Sequence, residues 1–184
     1  MKSYSEYIDR LLRTEKLLGK LRPTEPLDRE LTRKLRAADD ATLTGARAIG
    51  APAAFALVRG GLLYAIDEIE AAHTFFQEAP GDLGSYWHGM LHRREGDFDN
   101  ARYWFRRAGV QPFFAALHRA ASAVSPDMAR QPGWDPYLFT GQCEQVRFGA
   151  EEFLDEMVKL QRMEFDAVFD YSWRQSGLTS ASVE

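Results

Sequence analysis

The chain has one cysteine, Cys143, and no apolar run that could cross a bilayer cheaply. A single cysteine excludes an internal disulfide, which fits a reducing compartment. The most apolar region, residues 50–72, is interrupted by one basic and three acidic side chains. Residues 1–10 carry charges where a signal peptide needs an apolar stretch. We therefore expect a cytoplasmic protein that does not associate with membranes.

The chain also has no excess of basic residues. It contains 23 Lys and Arg and 27 Asp and Glu, which gives a formal net charge of −4. This balance argues against nucleic acid as a partner. The chain has no glycine-rich phosphate loop, no dinucleotide fingerprint and no Gly-x-Ser-x-Gly elbow. Cys143 has no histidine nearby in sequence and lies beside Glu144, which disfavours a reactive thiolate. No common nucleophilic motif is present.

No window alternates with period two for long enough to indicate a sheet, whereas apolar residues recur at helical spacing along most of the chain. A length of 184 residues with 45% apolar composition suits one substantial core. We predict one all-α domain over residues 1–176, a compact bundle of about seven to eight helices. Residues 177–184 are small and polar and are predicted to be a flexible tail.

Four segments give the main helix predictions. The first helix is expected to continue to the region of Pro23, and one uninterrupted helix is expected from Leu62 to Phe76. Residues 125–149 contain several Pro and Gly and are predicted to be an ordered loop with a short helix near 137–144. Residues 150–176 are predicted to be the longest helix.

Residues 84–109 concentrate the unusual side chains, with two of the four Trp, two of the four His and both Arg-Arg pairs. Gly96 divides this block into two predicted helices. A short connection at Pro80 to Gly84 makes the first of them an antiparallel neighbour of the helix before it. This register places His73 opposite His88 and puts two carboxylates near the second histidine of the block, His92. These carboxylates belong to Glu68 and Glu70.

His88 and His92 are four residues apart, the spacing at which one helix face offers two imidazoles to a metal ion. With His73 they predict a site for a divalent metal ion, to which Glu164 of the last helix is a further candidate ligand. Two alternatives remain. The histidines form a structural hydrogen-bonded cluster with a carboxylate or carbonyl, or they line a small-ligand pocket without metal.

Arginines give the same block a local positive charge. Arg93 and Arg94, with three more arginines downstream, either clamp a phosphate or carboxylate or pair with nearby acidic residues. Tyr103 and Trp104 are adjacent on a helix and cannot both face the core, so one of them is expected to line a groove or an interface.

Gln161 and Glu164 lie on the apolar face of the last predicted helix or at its margin. If buried, Glu164 needs a cationic partner, and it is then a structural strut. The alternative role is a general base with a raised pKa.

The block resembles a tetratricopeptide-repeat unit. The residues that carry this resemblance are Gly89, Gly96-Asp97-Phe98, Ala101, Phe105 and Ala108. In that family a small residue allows close helix crossing and Gly-Asp-aromatic makes the turn. The match covers about one repeat, and repeat proteins need several stacked units. The resemblance therefore implies a repeat-like antiparallel hairpin within a globular bundle.

A wider pattern is similar to an uncharacterised family of helical proteins from bacteria and fungi, to which no activity is attached. The matching residues are His73, Gln77, Tyr86-Trp87-His88, His92-Arg93-Arg94-Glu95, Asn100-Ala101 and Tyr103-Trp104-Phe105-Arg106-Arg107. The similarity extends to Trp134-Asp135-Pro136, Gln161 and Glu164. This chain has Gln111-Pro112 where that family reads His-Pro, so any role of that histidine is absent here.

Two functions follow from these patterns. The first is a non-catalytic helical protein that binds a protein partner or a small anionic ligand in a groove beside the hairpin region 62–108; the resemblance to a repeat family favours it by analogy. The alternative is a metal-dependent enzyme, such as a hydrolase, built on His73, His88, His92 and Glu164. The candidate ligand-binding residues are His73, Gln77, His88, His92, Arg93, Arg94, Tyr103, Gln161 and Glu164.

Overall fold

The computed structural model describes residues 4–147 and 153–178, which form eleven helices and no strand. The helices are α1 (Glu6–Leu12), α2 (Arg29–Ala37), α3 (Asp40–Thr44), α4 (Pro52–Ala65), α5 (Ile69–Gln77), α6 (Gly81–Glu95), α7 (Phe98–Ala108), α8 (Phe114–Ala121), α9 (Pro126–Ala129), α10 (Pro136–Arg147) and α11 (Leu154–Gln175). The all-α prediction is confirmed, with more and shorter helices than expected. Over the described ranges, none of the helices has the length and apolar character needed to span a bilayer.

The first helix is shorter than its apolar periodicity predicts. It ends at Leu12, and the backbone then turns through Lys16 and Leu18, whose φ angles are 62° and 58°. Leu17, Leu18 and Leu21 are nevertheless buried. Turns therefore bring into the core the apolar side chains that a longer helix was expected to bury. The Gln161 side chain holds this segment by donating to the backbone carbonyls of Leu18 and Lys20, both at 3.0 Å.

The helix predicted from Leu62 to Phe76 is divided in two at Asp67, whose φ of 66° is left-handed. A buried tertiary contact lies at this break. The buried Arg94 guanidinium donates to the carbonyl of Tyr64 at 2.7 Å and to the Asp67 carboxylate at 2.5 Å. It thereby adds a charged donor to a carbonyl at the end of α4 that also accepts from the backbone N–H of Asp67 at 3.2 Å.

Helices α6 and α7 form the predicted antiparallel hairpin. Gly96 ends α6 with a left-handed φ of 82°, and the Asp97 side chain caps α7 by accepting from the backbone N–H of Asn100. Gly89 lets the two helices approach closely, because a Cβ there would lie 2.8 Å from the Phe105 ring. Helix α6 also packs against α4 and α5, so it lies in the middle of the bundle.

The C-terminal half closes the bundle around this hairpin. Helix α10 confirms the short helix predicted near residues 137–144, and it is a few residues longer than expected. Helix α11 is the longest helix of the described ranges and packs against α4, α8 and α10. Leu178 packs on the core, and the backbone N–H of Gly50 donates to the carbonyl of Ser176 at 3.1 Å. The rest of the predicted tail, 179–184, and the start predicted for the last helix, 150–152, lie outside the described residues.

Two glycine substitutions test the close helix crossing. Gly89→Ala is expected to destabilise the protein by about 1–3 kcal/mol, because the added methyl group overlaps the Phe105 ring. Gly141→Ala in α10 is the matched control. Its methyl group meets no atom within 4 Å, so the gain in helix propensity should stabilise the protein by about 0.5–1 kcal/mol. Urea unfolding measures both effects, and a stabilising Gly89→Ala would contradict the described packing.

Candidate metal centre

Three histidines converge where α5 packs on α6. One ligand nitrogen from each of His73, His88 and His92 can be chosen so that all three lie within 4.8 Å of one another. The Nε2 atoms of His73 and His88 are 2.8 Å apart, so the two side chains lie opposite each other as the antiparallel register predicts. Among the described residues, these three form the one group of His, Cys, Asp and Glu side chains with such spacing.

Stacking holds the rings in place. The His88 ring lies between His92, at a centroid distance of 4.6 Å, and Trp104 of α7, at 4.0 Å. His73 meets both histidine rings edge to face. His88 is therefore fixed on two sides by aromatic rings and is only 4% exposed.

Glu95, at the end of α6, lies beside two of the rings. Its carboxylate accepts from Nδ1 of His92 at 2.7 Å and faces Nδ1 of His73 at 3.9 Å. A proton on Nδ1 of His92, donated to Glu95, leaves a lone pair on Nε2 of the same ring. The Asn100 amide nitrogen lies 3.2 Å from Nε2 of His92, where it donates to that lone pair. A carboxylate behind a histidine is the usual arrangement around a protein-bound metal.

Glu95 thus occupies the place that the sequence assigned to Glu68 and Glu70. Glu68 instead forms an ion pair with Arg36 at 2.8 Å, and Glu70 is exposed. The contact between His92 and Glu95 could have been predicted from the sequence, because the two residues are three positions apart on one helix. Trp104 and Asn100 had no comparable signal, since their approach depends on how α7 packs against α6.

His88 is neutral at physiological pH. Burial lowers its pKa from 6.5 to about 4, helped by the charges of His92 and His73 and opposed by Glu95. The Nε2 atoms of His88 and His73 are 2.8 Å apart, so one of them carries a proton and donates it to the other. The remaining nitrogen of His88, Nδ1, is buried and has no hydrogen-bond partner within the described ranges. A neutral imidazole is the form that binds a metal ion.

Glu164 does not join the histidines, which corrects the predicted ligand set. Its carboxylate is fully buried and accepts from the hydroxyl of Tyr86 at 2.7 Å and from the Arg93 guanidinium. Tyr86 in turn accepts from the Trp134 indole at 2.9 Å. The carboxylate is therefore a buried strut, the first of the two roles that the sequence left open.

The other predicted ligand residues fall into two groups. Arg93 and Arg94 are buried in ion pairs with Glu164 and Asp67, so neither is free to clamp an anion from solution. Gln161 is buried and bonds to backbone carbonyls. Gln77 and Tyr103 are exposed, and they lie on the two helices that flank α6.

Cys143 is buried, and burial raises the pKa of its thiol to about 12. A thiol with so high a pKa does not form a thiolate near neutral pH. This agrees with the sequence-based exclusion of a cysteine nucleophile.

Solvent reaches the cluster from one side. The side chain of His73 is 31% exposed and that of Glu95 is 32% exposed, whereas His92 is 8% exposed. Helices α5 and α7 both pack on α6, and the face of α6 between them carries His88 and His92. The arrangement is therefore a three-nitrogen site with a buried floor and an accessible edge.

Comparisons of this chain with protein-family models, with curated proteins and with solved structures give no match. The resemblances to a tetratricopeptide repeat and to the helical family from bacteria and fungi stay predictions.

The low pKa of His88 predicts that the metal-free protein loses stability in acid. The unfolded chain protonates His88 near pH 6.5, but the folded chain does so only near pH 4. The unfolded state therefore binds more protons between these values, and the free energy of unfolding falls as the pH is lowered through this window. In urea titrations with a chelator present, His88→Gln should show a shallower fall than wild type. Parallel curves for the two proteins would contradict this assignment.

Proposed function

We propose that the protein binds one divalent transition-metal ion through His73, His88 and His92. The observation that carries the proposal is the convergence of three imidazole ligand atoms within 4.8 Å. Neutral imidazoles suit zinc, iron, copper and nickel, whereas magnesium and calcium prefer oxygen ligands. Zinc is the first choice, because three histidines with one open position are a common catalytic zinc set.

The dimensions of the cluster support this choice. Zinc–nitrogen bonds of about 2.0–2.1 Å in tetrahedral geometry set ligand nitrogens roughly 3.3 Å apart. The closest pair, Nε2 of His73 and of His88, is 2.8 Å apart, and the outer limit for the three ligand atoms is 4.8 Å. These values bracket the ideal separation. The ion would take the place of the proton shared by His73 and His88, and small side-chain rotations would complete its coordination.

Three protein ligands leave a position for water, and zinc lowers the pKa of such a water to about 7. The proposed function is accordingly that of a metal-dependent enzyme of the hydrolase type. His73, His88 and His92 are its metal ligands. Glu95 orients His73 and His92 from behind without binding the ion itself, and Glu164 has no part in the proposed site.

A structural cluster without metal is the second candidate, and one observation favours it. Both nitrogens of His92 already have partners, Glu95 at 2.7 Å and Asn100 at 3.2 Å. Metal binding at Nε2 of His92 requires the Asn100 amide to turn away. The two candidates differ in metal content, which is measured directly.

Elemental analysis of protein purified without an affinity tag tests the proposal. We expect about one equivalent of zinc, iron or another transition metal per chain, lost in His88→Ala and in His92→Ala. His118→Ala is the matched control, because His118 lies on α8 and contacts the carbonyl of Met128 at 3.0 Å, away from the cluster. Metal that is absent from wild type and fails to bind on addition would contradict the proposal.

Two carboxylate variants separate the metal site from the structural strut. Glu95→Gln should weaken metal binding about 10- to 100-fold with little change in stability, because it weakens the acceptor behind the histidines. Glu164→Gln should keep the metal but cost about 3–5 kcal/mol of stability, because it leaves the buried Arg93 cation unpaired. Competition with a chromophoric chelator and urea unfolding measure the two effects. The reverse pattern would show that Glu164 serves the metal.

A further inference from the structure

One face of α7 extends the histidine cluster toward solvent. Asn100 and Trp104, one turn apart, contact His92 and His88 respectively. Further along this helix, the Arg107 guanidinium lies 5.4 Å from the ring centroid of Trp104 and 6.0 Å from that of Tyr103. Tyr103 is 47% exposed. An aromatic and cationic surface therefore adjoins the cluster directly.

Arg107 is exposed, and its contacts within the described ranges are with the aromatic side chains of Tyr103 and Trp104, unlike those of most arginines in the same region. Arg102 pairs with Asp99 at 3.0 Å and with Glu144, and Arg93 and Arg94 are paired in the interior. The hydrogen bond that Arg107 makes is long, 3.5 Å to the hydroxyl of Tyr103. Its charge is thus exposed and free to meet an anion.

The register of the three helices brings Gln77 to the same end of the site. Because His73 lies opposite His88, Gln77, one turn later on α5, lies level with Gly84 of α6. Because Trp104 stacks on His88, Arg107 lies level with Ser85. Gln77 and Arg107 therefore flank α6 about one helical turn, roughly 5 Å, from the histidines.

We propose, resting on the proposed metal centre, that Gln77, Tyr103 and Arg107 bind the anionic group of a small substrate whose reacting part reaches the metal. The substrate class is a small organic anion that carries a carboxylate or a phosphate. Arg107 supplies the charge, and Tyr103 and Gln77 supply neutral hydrogen bonds. Trp104 links this surface to His88.

Calorimetric titration of the zinc-loaded protein tests the proposal, with benzoate and phenylphosphonate as probes and benzamide as the neutral control. We expect both anions or one of them to bind, and the stronger probe to identify the anionic group. Arg107→Gln should weaken binding at least tenfold, since a charge-assisted contact is lost. Arg106→Gln, on the neighbouring exposed arginine, should change binding less than twofold. Equal effects of the two variants, or no anion binding by wild type, would overturn the proposal.

Zinc content measured on the same samples keeps the two proposals distinguishable. If all variants hold one zinc and Arg107→Gln binds anions as wild type does, the anion site is wrong and the metal centre stands. If wild type holds no zinc, the metal centre is wrong. The two arginine variants, titrated as metal-free protein, then decide whether an anion site exists at Arg107.

Discussion

Helix α6 is buried from Gly84 to Arg94 although it carries several polar and charged side chains, and each of these needs a partner inside the protein. This constraint arranges the rest of the bundle. The Arg93 guanidinium is neutralised by Glu164 of α11, and the Arg94 guanidinium is neutralised by Asp67 between α4 and α5. The Trp87 indole donates to the hydroxyl of Ser172 on α11 at 2.9 Å. The polar side chains of α6 thus contact α11 and the connection between α4 and α5, and these contacts fix how the elements pack around α6.

The two polar faces of α6 differ in how their side chains are paired and in whether they reach solvent. On the arginine face each charge is paired with a buried carboxylate and is remote from solvent. On the histidine face the partners of His88 are two other imidazoles, its pKa is lowered so that it stays neutral, and its Nδ1 has no partner in the described part of the chain. That face also reaches solvent over His73 and Glu95. The arginine face stabilises the fold, whereas the histidine face has features expected of a ligand site.

The features that could be predicted from the sequence are those that local periodicity and short loops determine. The helical class, the hairpin at Gly96 and the position of His73 against His88 all follow from periodicity and from the short connection at Pro80. The sequence did not predict the break at Asp67 or the partner of Glu164, because both depend on which buried arginine faces which carboxylate once α6 is surrounded. That pairing is decided by three-dimensional packing, and helix periodicity carries no information about it.

X-ray absorption spectroscopy of the zinc-loaded protein measures the coordination of the ion without regard to stability or activity. The account predicts three imidazole nitrogens at about 2.0–2.1 Å and one or two further oxygen ligands, with the outer-shell scattering typical of histidine rings. A zinc shell made only of oxygen, or one that contains sulfur, would contradict a centre formed by His73, His88 and His92.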